Sequence, residues 1–424
     1  MKLLTLVSLL LVFSLNINAQ TFEAGAAMRD ITPKYLIPIS GGMGTPEMPT
    51  GFKGRLTVRA FVLEKGATKI AIVSIDNLGW PAYLGDRSRQ LIKGIAPENI
   101  LIGVTHAHSC PDAYGFPDEK GHSAADLKYL DMCVHQIADA VNEAVSKLQP
   151  ASLKTAVGEA KGKIAYNYYA PELYDHRCGV IQAIATSGEN AGKPIVTLVN
   201  YAIHPEILGT KQKLISPDLC GPLYDRIESE VGGMAMFMNS AQGGMITADN
   251  RLENGKEAND WAECNRIGDL LADEALRIIK PAPIQENPEL YCTSKVITFP
   301  VDSKEMRFVF EHSPVAAAAR TGKKDFSTIS TRINLLDIGK AQVLTIPGEA
   351  LPNIGFYVKR KMNTTQPMLF GLTNDAFGYM LTKEDFNSFD RYKYVSRTSL
   401  GEMTGEIYEN EALKLVNESP STIK

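Results

Sequence analysis

Apolar, β-branched runs recur along the chain at 69–76, 99–105, 194–201, 234–240, 341–346 and 368–373, and each reads as a buried strand. Between them, apolar residues spaced three and four apart predict amphipathic helices over 123–147, 258–279 and 349–361, the last interrupted by Pro352. The alternation predicts an α+β (mixed α/β) fold, with mixed sheets and flanking helices. The proline-containing stretch 280–289, KPAPIQENPE, is the one plausible seam and reads as a crossing loop. Candidate functional residues lie on both sides of it, so a single interleaved domain over 20–424 is expected. The tail from about Asn417 reads as frayed.

The first residues change where the chain is expected to work. Lys2, an apolar run from Leu3 to Leu15 and a small residue at Ala19 form a secretory signal pattern, so the mature chain starts at Gln20 and is secreted or periplasmic. The apolar run is shorter than the roughly 20 residues needed to span a bilayer, and no transmembrane segment follows in the mature chain. With 44% hydrophobic and 22% charged residues and a net charge of -4, the composition is that of an ordinary globular protein without the basic excess that draws nucleic acid. A small-molecule substrate is the expected partner. The six cysteines, at 110, 133, 178, 220, 264 and 292, include no CxxC pair, which excludes a thiolate zinc knuckle and leaves room for one or two disulfides. Cys110 reads as a buried or bonded cysteine rather than a nucleophile.

Candidate chemistry gathers at strand ends. Thr105-His106-Ala107-His108-Ser109 closes the 99–105 run, and alternation in an extended segment sends His106 and His108 to one side, where neutral imidazoles bind zinc or carry a proton. His204 follows the 194–201 run, and the carboxyl ends of strands are where ligands collect in α/β sheets. Glu349 lies just past 341–346, although a carboxylate there also suits the first turn of a helix. The segment 372–379, with Asp375 and Tyr379, follows the last run. A metal site at the carboxyl ends of strands is expected.

Together these segments resemble the catalytic domain of the neutral ceramidases, extracellular zinc amidases that hydrolyse the N-acyl bond of ceramide. The resemblance rests on THAHSCPDA at 105–113, NYAIHPE at 200–206, IPGEAL at 346–351 and GLTNDAFGYMLTKEDF at 371–386. It extends to AAMRDITPKYLIPISGGMG at 26–44 and RLTVRAFVLE at 55–64. It implies His106, His204, Glu349 and Tyr379 as Zn2+ ligands, His108 beside the scissile bond, and Tyr392 as the tyrosine that meets the substrate. Two features of the family are missing. Its active-site serine falls here at Ile246 or Thr247, and its substrate-contacting arginine falls near Asn167-Tyr168-Tyr169. The C-terminal β-sandwich domain of the family is also not expected, since the chain ends soon after the tyrosine-rich segment.

A zinc ion with an open coordination position activates water and polarises a carbonyl, so hydrolysis needs no side-chain nucleophile. The resemblance then makes His108 the proton shuttle and Tyr392 the oxyanion donor. Gly44 in the 41–44 loop is expected to admit backbone close to the substrate. The substrate is expected to be ceramide or a related N-acyl lipid. Two alternatives stay open at this point: a deacylase or other hydrolase for a carbohydrate or other polar substrate, favoured by the lost arginine and the C-terminal domain not expected here, and a non-catalytic binding protein that keeps the zinc.

Overall fold

A computed structural model describes residues 20–317 and 325–420. The proposed signal sequence lies outside the described residues. The α+β expectation holds, and the architecture is a stack of helices, large sheet, small sheet and helices. From one edge to the other, the large sheet runs Met234–Asn239, Pro194–Tyr201, Arg177–Ala185, Gln149–Glu159, Phe22–Asp30, Thr57–Lys65, Thr68–Ile75 and Ile100–Val104. Its neighbours are antiparallel except for the outermost pair at each edge, which is parallel. The small sheet orders Leu290–Pro300, Thr328–Ile338, Ala341–Thr345 and Gln366–Phe370, the last two parallel.

The unbroken apolar runs are explained by this layering, because their strands bury both faces. Phe61, Ile72, Leu198 and Met238 of the large sheet meet Leu336, Val343 and Phe370 of the small one. The opposite faces carry the alternate residues. Val62 and Val73 pack on the helix Leu127–Ser146, and Val199 and Phe237 pack on Cys220–Val231 and Trp261–Ile279. Leu344 and Leu369 pack on Pro352–Lys361 and Thr404–Glu418. Fully burying each such side chain contributes roughly 1.5–3 kcal/mol.

Helix starts fall a few residues inside the predicted ranges for identifiable reasons. Asp126 accepts from the backbone N–H of Lys128 and Tyr129, both at 3.0 Å, and Asp260 accepts from Glu263 at 2.9 Å, so each carboxylate caps its helix. The third helix begins at Pro352, a residue suited to a first turn. Glu349 and Ala350 lie outside it, in a short strand. The 280–289 stretch crosses from the helix layer to the small sheet and pairs with Leu153 through Gln285. Helix Thr404–Glu418 takes in Asn417 and Glu418, the first residues of the tail expected to fray, and residues 421–424 lie outside the described residues.

The large sheet curls until its two edges meet. Ser74 Oγ donates to the Phe237 carbonyl at 2.6 Å, and Asn239 Nδ2 donates to the carbonyls of Thr105 at 3.0 Å and Ile203 at 2.7 Å. At Gly103 a β-carbon would stand 2.5 Å from both Met238 Cε and Thr373 Oγ1, so a larger residue would have to displace these side chains. Asn200 then ties this closure to the small sheet by donating to the Leu369 carbonyl at 2.7 Å. Loops that follow strands at opposite edges are thereby delivered to one place.

Candidate metal centre

His106, His108 and His204 form a buried cluster whose potential ligand atoms all lie within 4.8 Å of one another. The predicted alternation is not what brings His106 and His108 together. Their strand ends at Val104, and His106 takes a left-handed backbone with φ of +67°, a conformation uncommon outside glycine and frequent at functional sites. The turn nevertheless faces the imidazoles toward each other, with ring centroids 4.8 Å apart. The His106–His204 centroids are also 4.8 Å apart.

Two of the histidines are held alike. His106 Nδ1 lies 2.5 Å from the Leu78 carbonyl and His204 Nδ1 lies 2.6 Å from the Ile246 carbonyl. A carbonyl only accepts, so each Nδ1 carries a hydrogen and each ring turns its Nε2 inward. Glu349 Oε2 lies 3.1 Å from His204 Nε2 and 3.4 Å from His106 Nε2. Burial alone would raise the Glu349 pKa, but the charges and hydrogen bonds of His106 and His204 outweigh it and hold the carboxyl well below its usual range. For His204, burial works downward and is outweighed by the Glu349 hydrogen bond and the nearby carboxylates, which raise its pKa.

His108 is held differently. Its Nδ1 lies 3.2 Å from Glu206 Oε2, while its Nε2 is buried without a partner. Burial lowers its pKa more than Glu206 raises it. Burial would raise Glu206 in turn, yet the charge and hydrogen bond of His108 bring it down to about 2.

Glu349 and Tyr379 are register partners in the short parallel pair Glu349–Ala350 and Tyr379–Met380. Glu349 therefore belongs to this pair and not to a helix turn. A β-carbon at Gly243 would stand 2.2 Å from the Glu349 carbonyl, so the 241–245 loop can press against the pair only as glycine. Tyr379 lines the cavity in front of the histidines, with its hydroxyl 3.5 Å from Met245 Sδ. Burial, reinforced by the Glu349 charge, pushes its phenol well up. Asp375 turns away and accepts from the Ala82 and Ala376 N–H groups at 3.1 and 3.0 Å.

Tyr392 is not among the residues lining the cavity. Its ring lies tilted against Tyr169, centroids 5.5 Å apart, whereas Tyr394, two residues on, lines the cavity with Tyr379. Two residues and the start of the helix Lys393–Arg397 separate these positions, and spacing in sequence does not reveal which ring turns inward. Gly44 is likewise uncrowded, while Gly41 packs against the His108 backbone and Gly42, with φ of +142°, lines the cavity. The apolar wall comprises Leu78, Tyr114, Phe116, Met306, Val309 and Phe310. Asp112 arranges part of it by accepting from the N–H groups of Tyr114, Gly115 and Phe116. Glu206 and Asp112 were not singled out from sequence, although Glu206 stands two residues after His204.

No serine or cysteine lines this cavity among the described residues. All six cysteines are free thiols, and burial pushes the Cys110 pKa well up, away from nucleophilic character. Of the two positions where the serine falls, Ile246 packs its side chain in the core while its carbonyl serves His204, and the Thr247 side chain hydrogen-bonds Glu206. At the position lacking arginine, Arg391 reaches in from another segment and donates to the Tyr169 carbonyl at 2.6 Å.

Comparison with solved structures places this arrangement. Neutral ceramidase from Pseudomonas aeruginosa superposes with a TM-score of 0.77 over 96% of this chain and 76% of its own, at 17% identity. This is the neutral ceramidase fold. A second structure, a ceramidase complexed with C2, matches with a TM-score of 0.74 over 94% of this chain and 75% of its own, again at 17% identity. No protein-family model and no curated protein sequence matches the chain. The neutral ceramidase fold thus persists where sequence similarity has largely gone, and the chemistry has to be read from the residues themselves.

Proposed function

We propose that this protein is a secreted zinc-dependent hydrolase that cleaves the amide bond of an N-acyl lipid. One observation carries the reading. Two imidazole Nε2 atoms and a carboxylate oxygen converge at 3.1 and 3.4 Å in a buried pocket, a spacing and donor set that suit a shared cation. Tetrahedral ligands each ~2.0–2.1 Å from zinc stand roughly 3.3 Å from one another, and two histidines with a glutamate are a donor set typical of catalytic zinc. His106, His204 and Glu349 would hold the ion, with Tyr379 as the fourth ligand. Bound there, zinc would supply Lewis acidity and an activated water.

The chain's own groups do the rest. Glu206 orients His108 and stabilises its protonated form, and the unpartnered Nε2 passes a proton to the leaving nitrogen. Tyr394 takes the place expected of Tyr392 and donates to the oxygen that gains charge. The apolar wall receives the acyl chain. The cavity itself holds only about 70 Å³, but two hollows of about 290 and 440 Å³ share Val309 with it and extend the apolar path.

The likeness to ceramidases supports this substrate class, and no helix among the described residues is long and apolar enough to cross a membrane. Purified protein offered a panel of fluorescent N-acyl amides should release free fatty acid, lose that activity to a chelator and regain it with zinc. Absence of release from every member, or release indifferent to chelation, contradicts the proposal.

A further inference from the structure

His108 stands in a wall between two unlike cavities. On one side is the small apolar cavity; on the other is a hollow of about 300 Å³ whose lining includes Tyr166, Tyr168, Glu206, Lys211, Glu257 and Asn259. The partition is thin. Gly41 faces the polar side and its neighbour Gly42 the apolar side, while Met245 of the polar side touches the Tyr379 hydroxyl of the apolar side at 3.5 Å.

Resting on the hydrolase reading above, we infer that the amine half of the substrate is a polar, hydroxyl-bearing group without a carboxylate, such as an amino sugar, and that it occupies this second hollow. An amide placed at His108 has its acyl chain on the apolar side and its nitrogen substituent on the polar side. A long-chain alkyl amine would have to lie against carboxylates and amides, leaving their polar atoms without water or partners. Two glutamates set against one lysine repel an anionic amine such as an amino acid. Hydroxyls suit the mixed donors and acceptors there. Arg251 covers one face of Tyr166 at 3.8 Å from its ring, whereas Tyr168 is 62% exposed and presents an open ring to a sugar face. The reaction is hydrolysis: the water oxygen bonds to the acyl carbon, the C–N bond breaks, and the proton carried by His108 leaves on the amine.

The test compares two amides of one fatty acid, N-dodecanoyl-glucosamine and dodecanoyl ceramide, on the purified enzyme. At least tenfold higher kcat/KM for the sugar amide is expected. Equal or faster cleavage of the ceramide overturns the inference and leaves the hydrolase standing; no cleavage of either, or of any other amide, overturns both. Tyr168→Ala should raise KM for the sugar amide about tenfold with kcat retained, and an unchanged KM also counts against the polar hollow as the amine site. Because Tyr168 is largely exposed, the variant is expected to fold.

Discussion

The three clustered histidines fall into two kinds, distinguished by what holds Nδ1. His106 and His204 rest on backbone carbonyls and turn Nε2 toward Glu349, whereas His108 rests on the Glu206 carboxylate and leaves Nε2 unpartnered. A carbonyl fixes a tautomer without adding charge, which suits a ring that gives a lone pair to a metal. A carboxylate stabilises the imidazolium, which suits a ring that picks up and releases a proton. Under the proposed function, residues two apart in sequence take opposite duties.

The largest effect that would break this contrast is expected at His204. His204→Ala should lower kcat by about a thousandfold or more, since the loss of a ligand removes the metal's share of catalysis. Activity near wild type would move His204 out of the ligand set. His108→Ala should cost roughly 10²–10⁴-fold in kcat, the usual worth of a positioned acid–base group, with partial rescue by added imidazole. A loss without rescue and with altered metal content would make His108 a ligand as well.

Glu206→Gln is expected to be milder, about 10–100-fold in kcat, as for a partner that orients a functional group. The sign of its pH effect follows from the structure. Glu206 raises the His108 pKa against the lowering effect of burial, so its neutralisation should move the limb of the pH–rate profile set by His108 to lower pH. A shift upward would contradict the pairing.

The smallest effect contrasts Glu206, kept ionised, with Asp375, whose pKa burial raises from 3.8 to about 6 despite hydrogen bonds from Ala82 and Ala376. A carboxyl with a raised folded pKa contributes stability that is full below about 3.8 and is lost as pH rises through about 6. Asp375→Asn should therefore flatten the fall in Tm between pH 4 and 6, leaving the metal centre unchanged. An unaltered slope would show that Asp375 is ionised throughout.

The fold was legible where burial is two-sided. The 69–76 and 194–201 runs became the strands Thr68–Ile75 and Pro194–Tyr201 because both their faces are covered. The edge-to-edge curl was not legible, since it depends on Asn239, Ser74 and Gly103 meeting residues far away in sequence. His106, His204 and Glu349 were singled out by their strand-end positions, and the structure brings all three together. The reason given for pairing His106 with His108 was replaced by a left-handed turn. Tyr392 gave way to Tyr394 at the cavity because a short helix, not residue spacing, decides which ring turns inward. Glu206 escaped notice because its significance lies in the unseen neighbour His108.

Metal content measured by elemental analysis on wild type, His106→Ala, His204→Ala and His108→Ala tests the division of labour most directly. About one zinc per chain is expected in wild type and His108→Ala, with loss in the other two. Full retention in both His106→Ala and His204→Ala, or loss in His108→Ala alone, would contradict it.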